Sequence, residues 1–303
     1  MTIVHLSDIH VWHFTRNIRD WYGKRAVGLL ELLLGRARRF PRERLADVVE
    51  RVRSLRPDHV LITGDLTTTS LPVEFENARR ALEPLLADRD PDRVTILPGN
   101  HDRYTTKAVR ERWFERYFGE FQPQPEFPWL RWLDEQTAIL GLDPTRAHLT
   151  ARGRLRRDQL ERAGRLLEAA QVRPARLIVA CHYPVAAPPR YRRELARKSL
   201  VGARELKDWL ATIGQHVYCC GHVHAAWAFT PPESAHQLAL NAGSPLFRHR
   251  DPARRPGFLE VRLDGPGVTV VHHGWTGREW SLAELASRPD FFDRAVVPRP
   301  AGH

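Results

Sequence analysis

The sequence predicts an α/β fold, and three observations carry that expectation. Apolar runs of buried-strand length alternate with amphipathic helical patterns, Asp, Asn and His motifs follow five of those runs, and later strand patterns succeed one another with little helix between them.

Taken in order, the strand signals of the alternating part are Ile3 to Leu6, His59 to Thr63, Val94 to Leu97, Leu177 to Cys181 and Val217 to Cys220. Each is short and largely β-branched or aliphatic, as expected of a strand covered on both faces. Helical stripes lie between them. Arg42 to Leu55 places Leu45, Val48, Val49, Val52 and Leu55 on one face, and Val73 to Leu86 and Leu155 to Ala170 repeat the pattern. Beyond them, Ala226 to Thr230, His236 to Leu240, Gly257 to Leu263 and Val268 to His272 read as a β-meander punctuated by Pro, Gly and Asp turns. Residues 1–275 are expected to form one domain, with 276–303 as a C-terminal tail.

Composition bounds the rest. A chain of 303 residues with 42% apolar content is able to bury a full core. Its longest apolar stretch, Ala26 to Leu34, is interrupted by Glu31 and falls far short of the roughly 20 residues that span a bilayer. The N-terminus enters a strand without a basic and apolar leader, so a cytoplasmic location is expected. Cys181, Cys219 and Cys220 suit buried thiols in a reducing compartment. The formal charge of +11 comes almost wholly from Arg, since Lys24, Lys107, Lys198 and Lys207 are the only lysines. Charge alone names no partner.

The motifs carry the chemistry. They are Asp8-Ile9-His10, Gly64-Asp65, Gly99-Asn100-His101-Asp102, His182 and Gly221-His222-Val223-His224. In open α/β sheets, ligands bind outside the carboxyl ends of strands, where all five motifs fall. Residues at i and i+2 of an extended segment share a side, so Asp8 with His10, and His222 with His224, each present two ligands to one region. Oxygen and imidazole donors without thiolate suit Mn, Fe, Zn or Mg. Seven ligands exceed the needs of one ion and suffice for two ions about 3.5–4 Å apart, bridged by a shared carboxylate.

This ordered set resembles the calcineurin-like metallophosphoesterases over residues 1 to about 275. The resemblance implies a two-sheet α/β/β/α sandwich with a dinuclear site at the strand ends, manganese being the favoured ion. Carried over, Asp8, His10 and His224 hold one metal, Asn100, His182 and His222 the other, and Asp65 bridges them. The implied reaction is hydrolysis of phosphate esters, above all diesters, by a metal-activated hydroxide attacking phosphorus. His101 and Asp102 are left free of metal. His101 is then placed to protonate the leaving group, and Asp102 to orient His101.

Substrate must come from what decorates the site. The insert at residues 12–40 sets Ile18, Trp21, Tyr22, Val27, Leu29, Leu30 and Leu32 to Leu34 among Arg16, Arg19, Lys24, Arg25, Arg36, Arg38 and Arg39. Such a basic amphipathic segment suits a lid, a packing element or a peripheral contact with an anionic membrane. Candidate substrate contacts are His13, Arg16, Tyr183, Arg190 and His249, and the basic stretch Arg190 to Lys198 is a second candidate wall of the crevice. Alternatives within the superfamily are a pyrophosphohydrolase resembling the UDP-diacylglucosamine enzymes of lipid A synthesis, which often have Arg where this chain has His101, and a cyclic-nucleotide phosphodiesterase, which usually has His where this chain has Tyr183. A metal-binding scaffold without activity is the non-enzyme alternative. No nucleic-acid partner is expected, because no single-strand aromatic platform is evident. Oligomeric state is not encoded in any of these motifs.

Overall fold

The computed structural model describes residues 1–87, 90–148, 150–170, 173–198 and 200–293. Its strands in chain order are β1 (Thr2–Leu6), β2 (His59–Ile62), β3 (Val94–Ile96), β4 (Trp129–Trp132), β5 (Thr137–Leu142), β6 (Arg176–Cys181), β7 (His216–Cys220), β8 (Ala226–Phe229), β9 (Gln237–Ala242), β10 (Gly257–Asp264), β11 (Gly267–Trp275) and β12 (Trp280–Arg288). They form two six-stranded sheets, ordered β12-β11-β10-β1-β2-β3 and β4-β5-β6-β7-β9-β8. β1, β2 and β3 run parallel in the first sheet, as do β5, β6, β7 and β9 in the second.

Alternation along the strands builds the layers. In β1, Ile3 faces the second sheet and packs in one cluster with Leu61, Val261, Ile178, Val217 and Leu240, while Val4 and Leu6 face helices on the other side. Those helices are Leu45–Ser54 and Pro72–Leu86, whose stripes Val48, Val49, Val52 and Phe75, Ala78, Leu82 meet Val60 and Ile62. On the far side of the second sheet, Leu160 and Ala163 of the helix Arg157–Ala169 and Leu206 and Leu210 of the helix Ala203–Leu210 cover Leu140, Val179 and Tyr218. The result is the α/β/β/α sandwich expected from the motif set.

Three features depart from the sequence reading. The hairpin β4–β5 forms one side of the second sheet and has no counterpart among the expected strands. The expected meander is divided between sheets, because β8 and β9 join β7 whereas β10, β11 and β12 join β1. The segment expected as a C-terminal tail contributes β12, paired with β11 from Val268↔Arg288 to Trp275↔Trp280. The rest of that tail, residues 294–303, lies outside the described residues. Cys181, Cys219 and Cys220 are free and buried, as expected of core thiols. Among the described residues, no helix is long and apolar enough to cross a membrane.

Candidate metal centre

Five of the non-glycine motif residues stand on left-handed backbone: Asp8 (φ 55°), His10 (φ 53°), Asp65 (φ 56°), His222 (φ 72°) and His224 (φ 55°). Such φ values are costly for residues with a Cβ, so the surrounding contacts must hold them. Backbone bonds from Asp8 N–H to Gly64 O and from His10 N–H to Asp65 O, both 2.9 Å, fasten the loop after β1 to the loop after β2. Gly221 N–H donates to His182 O at 2.9 Å and His222 N–H to Asp8 Oδ2 at 2.8 Å, which joins the second sheet to the first. The pairs Asp8/His10 and His222/His224 therefore reach one region through left-handed turns, and the extended run expected from their spacing is absent.

The motif glycines allow this closeness. A Cβ on Gly99 would collide with the Asp65 carboxylate, and one on Gly221 with Ser7 Oγ and Asp8 Oδ2. Any larger residue at either place would push the two halves of the site apart.

Two groups of donors result. Asp8, His10, Asp65 and His224 form one, and Asp65, His182 and His222 the other, with the ligand atoms of each group within 4.8 Å of one another. Asp65 belongs to both. In the first group His224 Nε2 lies 3.1 Å from Asp8 Oδ1 and 3.0 Å from His10 Nε2. In the second, His182 Nε2 lies 3.4 Å from Asp65 Oδ2 and 3.2 Å from both Asn100 Oδ1 and His222 Nδ1. Asn100 thus joins the second group.

The donors fit divalent cations. His182 donates from Nδ1 to Thr63 O at 2.7 Å, and His10 Nδ1 faces Thr67 O at 3.3 Å. Each carbonyl takes the Nδ1 proton and aims Nε2 into the cluster, the usual orientation of a metal-binding imidazole. Asp8 Oδ1 and His222 Nε2 are buried without any hydrogen bond. Burial opposes charge on both carboxylates, yet His224 and His10 around Asp8, and His182 and His101 around Asp65, hold both well below the ordinary carboxylate range. Converging lone pairs and anionic oxygens in one buried place require a positive charge among them.

A profile of the calcineurin-like phosphoesterase family matches residues 1–226. The chain belongs to that family. A dimetal phosphatase from Danio rerio superposes on this chain with a TM-score of 0.60 at 13% identity, covering 94% of this chain and 99% of that one. A Vps29 single mutant from Entamoeba histolytica gives a TM-score of 0.40 at 14% identity, with 95% and 99% covered. The sulfate thiohydrolase SoxB of Thermus thermophilus gives 0.46 at 14%, with 96% of this chain and 57% of that one covered. No curated protein sequence matches the chain.

Above the cluster lies a cavity of about 760 Å³, lined by Asp65, Asn100, His101, His222 and His224 together with residues of the 12–40 insert. The insert is closed at its base, where Trp12 Nε1 donates to Phe40 O at 2.8 Å. Phe40 then sets its ring edge against His10 at 4.8 Å. Between these ends the helix Lys24–Glu31 is pinned by Arg25, which donates to Thr69 O and Ser70 O at 3.2 and 3.3 Å. Lys24, Arg36 and Arg39 face the cavity from the insert, and Lys198 faces it from the other side. Burial pushes Lys24 down to about 8, with Asp65 and Glu31 opposing, and its ammonium sits 4.0 Å over the Tyr104 ring.

His101 and Asp102 separate in role. His101 lines the cavity, and its Nδ1 donates to Thr68 O at 2.6 Å, which leaves Nε2 facing Arg36 at 3.5 Å. Burial holds its imidazole well below the ordinary range, with Asp65 opposing and Arg36 reinforcing. Asp102 makes no bond to that ring. Its carboxylate accepts from Gly99 N–H and Thr67 N–H, both at 2.9 Å, from Thr67 Oγ1 at 3.0 Å and from Leu66 N–H at 3.3 Å. The expectation that Asp102 orients His101 is corrected: a carbonyl does so, because four donors already occupy the carboxylate.

The substrate contacts expected from sequence also shift. None of His13, Arg16, Tyr183, Arg190 and His249 is among the cavity-lining residues. His13 N–H donates to Glu74, and Tyr183 is buried under His222 with its hydroxyl on Ala151 O. Arg190 pairs with Asp251, whose N–H also bonds His249 Nδ1, and Arg16 is exposed. The cavity is lined instead by Lys24, Arg36, Arg39, Lys198, Tyr104 and Phe247, beside the ligands. The signal for the insert cations was their helical phase relative to Gly28 and Leu29, which only a known inner face makes readable.

Proposed function

We propose that this calcineurin-like phosphoesterase hydrolyses phosphate diesters at a dinuclear centre held by Asp8, His10, Asp65, Asn100, His182, His222 and His224, with manganese as the working ion. The observation that carries the reading is the pair of ligand groups sharing Asp65. Such a centre, when filled with two divalent ions, supplies an acidified water and neutralises charge on the phosphoryl oxygens.

The chain's own residues do the rest. Arg36 and Lys24 hold the anionic ester from the insert side, and Lys198 holds it from the opposite wall. His101, fixed through Nδ1 by Thr68, aims Nε2 into the cavity; there it takes a proton from the attacking water and passes it to the departing oxygen, the anionic ester offsetting the burial that disfavours its charged form. Phe40 and Phe247 close off water beside His224, whose ring stands 5.7 and 5.1 Å from theirs. Diester preference is supported by the size of the cavity, since about 760 Å³ exceeds the need of a single phosphoryl group.

The test is a parallel assay of bis-aryl phosphate, an aryl phosphate monoester, a cyclic nucleotide and a UDP-acyl sugar lipid with added Mn²⁺. The reading expects the bis-aryl diester to be cleaved faster than the monoester. Preference for the monoester contradicts diester specificity, and exclusive turnover of the cyclic nucleotide or of the diphosphate lipid moves the enzyme to one of those narrower classes.

A further inference from the structure

The insert helix has two apolar faces, and the fold uses one of them. Arg25, Gly28, Leu29 and Leu32 are buried, with Leu29 and Leu32 packed on Leu71. The opposite face carries Val27 (56% exposed), Leu30 (50%), Leu33 (58%) and Leu34 (78%). Tyr22 and Ile18 continue the exposed surface toward the N-terminal end of the insert. Among the described residues, seven of the ten exposed large hydrophobic side chains lie between Phe14 and Leu34. Concentration of this kind marks a contact surface, since scattered apolar residues are the ordinary state of a protein exterior.

Charge says what it contacts. The insert holds seven cations and two acids, Asp20 and Glu31. Both acids are neutralised within it, Asp20 by Arg25 at 3.3 Å and Glu31 by Arg36 at 2.9 Å. Arg16, Arg19, Arg38 and Arg39 are exposed around the apolar face. An apolar stripe rimmed by arginines complements a surface with an apolar interior and anionic headgroups. A water-exposed protein partner would need a matching apolar face with an acidic rim, whereas an anionic bilayer supplies both everywhere.

The same surface is continuous with the cavity. Val27 and Leu34 belong both to the exposed stripe and to the cavity wall, next to Lys24, Arg36 and Arg39. We propose that the insert docks the mouth of the cavity onto an anionic bilayer, so that the substrate is a phosphate ester anchored in that bilayer by an apolar chain. Its substrate half rests on the phosphoesterase reading given above; its docking half does not. In the docked state Leu30 and Leu33 enter the headgroup and acyl boundary, Arg19 and Arg38 meet lipid phosphates, and the ester phosphate passes between Val27 and Leu34 to the metal ligands without its chain leaving the interface.

The experiment is co-sedimentation of the full chain with phosphatidylcholine vesicles containing or lacking phosphatidylglycerol, alongside hydrolysis of soluble bis-aryl phosphate by the same preparations. The wild type is expected to bind the phosphatidylglycerol vesicles and to release from them as salt rises. Leu30→Glu with Leu33→Glu should lower that partition by about tenfold or more, because the transfer free energy of two exposed side chains that enter the bilayer is lost. The rate on the soluble diester should not change, since neither residue lines the cavity. Arg19→Ala with Arg38→Ala should weaken binding chiefly at low salt. Equal binding by the Leu30/Leu33 variant overturns the proposal. So does a wild type that ignores vesicles, or one that forms a dimer which these substitutions dissolve. Vesicle binding with no diester hydrolysis contradicts the phosphoesterase reading alone, and the two failures are thereby distinguished.

Discussion

The backbone N–H of His101 donates to Asp65 Oδ1 at 2.7 Å, which leaves Oδ2 of the same carboxylate facing His182 at 3.4 Å and His10 at 3.7 Å. One oxygen is thus committed to the loop after β3, and the other stands between the two ligand groups. Asp65→Asn puts an amide in that position. The variant is expected to lose both ions, while His182→Ala loses chiefly the one held with Asn100 and His222. Metal content per folded chain, measured by elemental analysis after dialysis, checks this. Full retention of two ions by Asp65→Asn would remove it from the bridging position.

His101 is expected to matter for turnover and not for metal. His101→Ala should keep the ions and lose about 10²–10⁴-fold in rate on an ester with a poor leaving group, the usual range for a positioned proton donor. On an ester whose leaving group needs no proton the loss should be much smaller. Equal losses on both esters would mean that His101 acts by some route other than proton delivery.

Asp102 carries the opposite expectation. Its two oxygens accept four hydrogen bonds, three of which tie the loop after β3 to Leu66 and Thr67 while the fourth, from Gly99 N–H, closes the loop itself. Asp102→Asn sets an N–H₂ against backbone N–H donors in a buried place, at a cost of about 1–3 kcal/mol for each donor left unpaired. Thermal or denaturant unfolding should register that loss. A variant of unchanged stability with abolished turnover would restore Asp102 to a catalytic pairing with His101.

Much of this centre was legible in the sequence because each ligand follows a strand whose apolar run is unmistakable. β1, β2, β3, β6 and β7 fall within a residue or two of their expected positions, and the ligands after them converge. β12 was not legible. Its residues Trp280–Arg288 form an edge strand with no buried residue, so burial leaves no alternating stripe to read. β5 is wholly buried, but Gly141 interrupts its run because the Trp129 ring lies where a Cβ would stand. The partner of His101 escaped for another reason: main-chain carbonyls such as Thr68 O have no signature in residue identity. The insert's role as a cavity wall depends on which helical face packs inward, and two apolar faces left that choice open.

Arg36 is expected to act in binding. Its guanidinium spans Glu31 and His101 at the cavity wall, and loss of a charge-assisted contact to phosphate costs about 1.5–3 kcal/mol. Arg36→Met should therefore raise KM by about 10–100-fold with a smaller change in kcat. Steady-state kinetics on bis-aryl phosphate measure the split. A fall in kcat alone would place Arg36 in the transition state and not in ground-state binding.

Stability should carry a pH signature from Glu74. Burial pushes its carboxyl from 4.5 up to about 7, against the opposing hydrogen bonds from Thr69, Leu71 and His13. A carboxyl raised in the folded state favours folding when protonated. Its contribution is complete below pH 4.5 and is lost as pH rises through about 7. Glu74→Gln stays neutral throughout, so its melting temperature should decline less than that of the wild type across this window. Parallel profiles would show that Glu74 is ionised in the fold.

Two ligand groups that share Asp65 should make ester hydrolysis depend on two bound ions. The most direct measurement strips the purified chain with a chelator, then titrates Mn²⁺ while recording bound metal and bis-aryl phosphate cleavage together. The stripped protein is expected to cleave nothing, and recovery to be complete only as the second ion binds. Cleavage that survives stripping, or full recovery with one ion bound per chain, would contradict it.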